Sequence, residues 1–177
     1  MKITIIGVGA LGSHLVQALR NEKATLRLVD YDRVEIKNVA SQFHFKSGVG
    51  KKKVDSLKQQ VHFCYGLQVE IVGNKLTNDN ATQLLGGADL IVDCLDNGEG
   101  RRVIQAYARA HGVPCLHGAL AAGGEFGRVV WDEHFTIDDE AGAGAPTCED
   151  GEFLPFIMLT AAYLATAAQR WIRQGKK

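Results

Sequence analysis

Residues 2–13, KITIIGVGALGS, decide how this chain is read. Lys2 to Ile6 is a β-branched run, Gly7, Gly9 and Gly12 stand at G-x-G-x-x-G spacing, and Leu11, Leu15 and Leu19 recur at helical intervals as far as Arg20. A strand that turns on glycines into a helix gathers backbone N–H groups and the positive end of the helix dipole at one point, which suits a phosphate. A second apolar strand, Ala24 to Val29, ends in Asp30-Tyr31-Asp32. Asp30 therefore stands about twenty residues beyond the glycines, where a carboxylate can accept hydrogen bonds from ribose hydroxyls. Capping by Asp30, or tight strand–helix packing at the glycines, would each explain one feature; neither explains both.

Further along, strand and helix patterns alternate. A polar loop from Arg33 to Gly50 leads to a helix from Lys51 to Phe63, a strand at Leu67 to Val72 and a short helix at Asn78 to Leu85. An apolar strand from Ala88 to Cys94, a helix from about Glu99 to His111, and strands at Val113 to His117 and Gly127 to Trp131 follow. This order predicts an α/β fold with a mostly parallel, Rossmann-like sheet and helices on both faces. Residues 136–152, TIDDEAGAGAPTCEDGE, interrupt the alternation with six acids and no Lys or Arg, and predict a loop. An apolar helix over 153–172 ends the chain. The expectation is one domain over 1–177.

Forty-six per cent apolar and 23% charged residues are ordinary for a soluble globular protein. Twenty basic and twenty acidic side chains cancel, so nothing global attracts nucleic acid or an anionic membrane. The apolar run FLPFIMLTAAYLATAA, 153–168, is shorter than the ~20 residues needed to span a bilayer. Four cysteines occur with no Cys-x-x-Cys pair, which fits a reducing cytoplasm and gives no expectation of structural zinc.

The stretch DLIVDCLDN, 89–97, sharpens the question of ligand. In a parallel sheet the site lies off the carboxyl ends of the strands, so Asp96 points towards the phosphates. A bare carboxylate repels pyrophosphate, whereas a Mg²⁺ ion bound by both is favourable. That favours a nucleoside triphosphate over NAD. Lys53 is placed to balance the terminal phosphates. The competing readings are that Asp96 caps the next helix and that Lys51, Lys52 and Lys53 form a solvated face.

These pieces resemble the family typified by ThiF and MoeB, the E1-like adenylating enzymes. The resemblance rests on GVGALGS (7–13), LVDYDRVEIKN (28–38), GKKK (50–53), DLIVDCLDN (89–97) and VPCLHGAL (113–120), in the family's order, and on PTCEDGEFLP (146–155), which is similar to the crossover loop and the start of the following helix. It implies an ATP·Mg²⁺-dependent adenylyltransferase that activates a carboxylate, commonly the C-terminal glycine of a ubiquitin-like or sulfur-carrier protein, and that works as a homodimer or heterodimer. The cofactor-binding residues it implies are Gly7, Gly9, Ala10, Leu11, Gly12, Asp30, Asp32, Asn38, Gln42, Lys53, Leu95 and Asn97. Asp30 would hold the ribose, Asn38 would lie near the phosphates, and Lys53 would stabilise charge at the α-phosphate. Asp96 would hold Mg²⁺. Cys148 stands where some members place a cysteine that receives the activated carrier, although Glu149 and Asp150 beside it disfavour a thiolate.

The sequence departs from the family in three places. Ser41 stands where an arginine is usual, three residues beyond Asn38. The chain opens directly on the first strand, without upstream helices bearing an arginine for the partner's site, and the two Cys-x-x-Cys pairs of zinc-bearing members are missing. Lys51, Lys52, Arg101 and Arg102 are candidates to replace the missing cations. Two alternatives stay open: an ATP-binding partner or regulatory subunit with weak or no turnover, and an NAD-dependent oxidoreductase.

Overall fold

The structure is a computed structural model that describes residues 1–121, 126–137 and 151–177. Six strands form one sheet: β1 (Lys2–Ile6), β2 (Thr25–Val29), β3 (Glu70–Val72), β4 (Leu90–Asp93), β5 (Cys115–Leu120) and β6 (Gly127–Trp131). Their order is β3-β2-β1-β4-β5-β6, with the first five parallel and β6 antiparallel on the edge. The chain winds outward from β1 to β3, then returns to lay β4 on the other side of β1. The switch point therefore falls between β1 and β4, and ligands in such sheets bind off the carboxyl ends there.

Side-chain alternation sends the sheet into two cores. Ile3, Ile5, Leu26, Leu28, Leu90 and Val92 face helices α1 (Ala10–Ala18), α2 (Lys53–Tyr65) and α5 (Leu154–Gln174). Ile6, Val29, Ile91 and Cys115 face α3 (Ala81–Leu85) and α4 (Gly98–His111). Burying each large aliphatic side chain contributes about 1.5–3 kcal/mol, so the two layers hold the sheet from both sides.

Several boundaries differ from the sequence reading. The loop over 33–50 contains two short 3₁₀ turns, Ile36–Ala40 and Lys46–Gly48. The first is closed by a capping box between Glu35 and Asn38. The third helix begins only at Ala81, because the Asn80 side chain accepts from Thr77 N–H and donates to the Lys75 carbonyl, holding 75–80 as a turn. In α5, Leu164 is fully buried, while Met158, Leu159 and Tyr163 point outward and are about half exposed or more (49%, 54% and 63%). Among the described residues no helix is long and apolar enough to cross a membrane.

Candidate nucleotide-binding site

The glycine turn leaves β1 at Gly7, whose φ of +84° favours glycine. Gly12 is demanded by packing: a Cβ there would lie 1.9 Å from the Gly7 carbonyl oxygen. Gly9 is different, since a Cβ there would meet nothing closer than 3.8 Å. Its three nearest atoms are Gln42 Oε1, Gln42 Nε2 and Lys53 Nζ, so the polar tips of two distant side chains converge above it. The N-cap of α1 is Gly9, which has no side chain to cap the helix. Ala10 opens that helix, and the Leu11 side chain is turned into the core beside Leu15 and Val16.

Asp30 locks the turn in place. One of its carboxylate oxygens accepts from Val8 N–H (2.8 Å) and the other from Asp32 N–H (2.8 Å). Burial raises its pKa, while Lys53 and the two N–H groups pull the other way. The Val8 carbonyl is held in turn by His44, whose Nε2 lies 2.9 Å away and must carry the hydrogen. The two peptide groups that flank Val8 are thus each held by a side chain, one by Asp30 and the next by His44. Two side-chain atoms in this region, Gln42 Oε1 and His44 Nδ1, are buried with no hydrogen-bond partner among the described residues. Orphaned buried polar atoms of this kind often mark a place for a ligand or water.

Lys53, the first residue of α2, is the charged centre. Its Nζ donates to Asp32 Oδ2 (3.0 Å), and its backbone N–H donates to the Asp32 carbonyl (2.8 Å). Burial works to lower its pKa, yet Asp30, Asp32 and Asp96 together outweigh burial and hold it above the ordinary lysine value. The solvated-face reading therefore fails for this lysine, which is only 8% exposed. Asp96 is exposed, just beyond β4, with one long contact from Asn97 Nδ2 (3.4 Å). The helix cap is Asn97, whose Oδ1 accepts from Gly100 N–H (2.8 Å). Asp96 is left as a hard oxygen donor open on one side, which fits a divalent cation that also takes phosphate oxygens.

Not every expected residue converges on the turn. The Oδ1 of Asn38 is occupied by Glu35 N–H (2.9 Å), so this side chain shapes the 3₁₀ turn. Leu95 packs against Gly7 and Gly100. Cys148 lies outside the described residues. Three suggested replacement cations are engaged elsewhere: Lys51 donates to Gln59, Lys52 to the Gly73 carbonyl, and Arg101 is buried against Asp93, Leu95 and Gly118. Arg102 is exposed on α4. Sequence reasoning missed His44, whose signal was a lone histidine in a polar loop, and a buried cluster of Asp93, His117 and Asp132. The latter's only sign was acid inside an otherwise apolar strand.

A doubly wound sheet with a glycine turn, an acid and a buried lysine at its switch point defines a Rossmann-like α/β fold. The chain belongs to the ThiF family, which matches residues 1–176. It is 30% identical over 121 residues to a molybdopterin-synthase adenylyltransferase from Salmonella typhimurium, covering 67% of this chain and 49% of that protein. It is 31% identical over 125 residues to the SAMP-activating enzyme E1 of Haloferax volcanii, covering 67% and 45% respectively. This chain thus aligns with about half the length of these relatives. Its fold is shared with E. coli tRNA N6-threonylcarbamoyladenosine dehydratase, solved in complex with ATP, at a TM-score of 0.73 and 16% identity over 98% of this chain and 86% of that one.

Proposed function

We propose that this chain is a single adenylation domain that binds ATP with Mg²⁺ and adenylates a carboxylate, the C-terminal glycine of a ubiquitin-like or sulfur-carrier protein. The observation that carries this reading is the Lys53 ammonium, buried above Gly9 and held among Asp30, Asp32 and Asp96. The relatives' names, adenylyltransferase and activating enzyme, support it and do not favour an NAD-dependent oxidoreductase.

The chemistry follows from charge. A carboxylate oxygen attacks the α-phosphorus, the bond from that phosphorus to the α,β-bridging oxygen of ATP breaks, and that oxygen leaves as part of pyrophosphate. The attacking carboxylate is already ionised near neutral pH, so no general base is needed. What must be overcome is repulsion between two anions, and catalysis is positioning plus charge neutralisation. The glycine turn and the N-terminus of α1 would receive the phosphates, Asp30 would accept from the ribose hydroxyls, and Lys53 would neutralise the α-phosphate. Asp96 would hold Mg²⁺, which supplies further positive charge to the phosphates when bound. Gln42 brings both ends of its side-chain amide to the same place, the oxygen with no partner among the described residues.

A second reading, an ATP-binding partner subunit with little turnover, is favoured by one observation. Ser41 occupies the usual arginine position, is buried, and offers its carbonyl to His14 Nε2 (3.1 Å). Calorimetric titration of ATP with and without Mg²⁺, in the wild type and in Asp96→Asn, tests nucleotide binding. ATP binding strengthened by Mg²⁺ only in the wild type is the expected result, and tight NAD binding indifferent to Mg²⁺ would sink the reading. Exchange of labelled pyrophosphate into ATP with candidate carrier proteins then separates an enzyme from a silent partner.

A further inference from the structure

Beneath the Asp96 loop lies a group of buried charges that nucleotide contact leaves unused. His117, on β5, is fully buried, with Nδ1 2.8 Å from Asp93 Oδ2 and Nε2 3.1 Å from Asp132 Oδ1. Cys115 Sγ also lies 3.4 Å from Nε2, and the ring stacks on Phe135 at 4.1 Å. Burying charges is costly unless each is paired and hydrogen-bonded, and apolar residues of similar volume often do as well or better for stability. Stability alone is therefore a weak reason for this cluster.

Its connections supply a stronger one. The second oxygen of Asp93, Oδ1, accepts from Leu95 N–H (2.9 Å). Arg101 donates to Asp93 Oδ2 (3.3 Å), to the Gly118 carbonyl (3.1 Å) and to the Leu95 carbonyl. Both polar groups of Leu95, the residue before Asp96, are thus held from below. Arg101 is divided among three acceptors, so the short bond from His117 is what fixes Asp93 with Oδ1 facing Leu95. Asp132, itself gripped by Arg109 (2.6 Å), anchors the far side of the ring.

We propose that His117 is a positioning residue for the Asp96 metal site: through Asp93 it fixes the Leu95–Asp96 backbone and so sets affinity for the divalent cation that accompanies the nucleotide. The proposal rests on the ATP·Mg²⁺ reading and adds a residue that touches neither ligand. A pair of substitutions isolates the bond concerned. In His117→Asn the amide nitrogen falls near the position of Nδ1 and can still donate to Asp93. In His117→Gln it reaches instead towards the position of Nε2 and Asp132.

Two readouts are taken, hydrogen exchange of the Leu95 amide in the nucleotide-free protein and ATP affinity with Mg²⁺ against ATP affinity with chelator. In His117→Gln, Leu95 exchange should accelerate about tenfold relative to Ile5, and the gain in ATP affinity from Mg²⁺ should shrink about tenfold. In His117→Asn both should stay within about twofold of wild type, well short of the loss of a supporting contact. Variants that behave alike, or a His117→Gln protein with wild-type values, would overturn the proposal while leaving the ATP reading intact. Wild-type ATP binding indifferent to Mg²⁺ would overturn both. Should His117→Gln fail to fold, nitrogen NMR of the wild-type ring decides: a hydrogen on Nδ1 is expected, and a bare Nδ1 overturns the proposal.

Discussion

Lys53 and His44 show how burial gives two ordinary side chains opposite electrostatic roles beside the same turn. Lys53 stays a cation because three carboxylates surround it. Lys53→Ala should lower pyrophosphate exchange about 10²–10³-fold, the scale for losing one group that stabilises transition-state charge. It should also push the Asp30 pKa further up, since Lys53 now restrains it. Initial exchange rates at saturating ATP check the first effect; an unchanged rate would remove Lys53 from the chemistry. For His44, burial takes the pKa from the ordinary 6.5 down to about 4, the bond to the Val8 carbonyl works against this, and Lys53 and His14 add to the fall. The folded ring is thus neutral where the unfolded chain's would bind a proton. Stability should rise with pH between about 4 and 6.5, be fully present above that window and be lost below it, with at most about 3 kcal/mol at stake. Urea unfolding at a series of pH values should show a flatter profile for His44→Gln than for wild type.

Among the elements, the start of α4 separates adjacent residues by function. Asn97 caps the helix, whereas Asp96 does not. Asn97→Ala should cost about 1 kcal/mol of folding stability. Asp96→Asn should shift stability by less than about 0.5 kcal/mol, as expected for an exposed substitution, while removing the Mg²⁺ dependence of ATP binding. Denaturation midpoints and calorimetry on both variants make a double dissociation, and equal loss of stability would return Asp96 to a capping role. The loop before α2 teaches a related lesson. Glu35 and Asn38 carry a capping signature in a stretch read simply as polar loop, and the Oδ1 of Asn38, a residue expected near the phosphates, closes that turn. Local turn chemistry was visible in those residues, but the glycines and lysines around them masked a turn too short to show helical periodicity.

At the scale of the whole molecule, α5 packs one face on α1, β5 and β6 and leaves Met158, Leu159 and Tyr163 outward. We propose that the chain associates through this stripe into a homodimer or heterodimer. Leu159→Glu combined with Tyr163→Glu should leave the folded monomer intact and shift sedimentation at micromolar concentration from dimer to monomer. A wild type already monomeric there would count against the proposal. The alternation of strands and helices, the glycine turn, and the positions of Asp30 and Asp96 just past the ends of β2 and β4 were legible in the sequence by themselves, because each rests on periodicity or on turn geometry within a few residues. The sequence could not show that Lys53 is buried on Asp32, 21 positions away, or that His117 lies against Asp93 across 24. Those pairings exist only once an antiparallel bridge joins Arg33 to Lys52 and β4 pairs with β5. Desolvation and charge pairing depend on what surrounds a group in space, so only the tertiary structure could show that Lys53 is buried and which acids surround it.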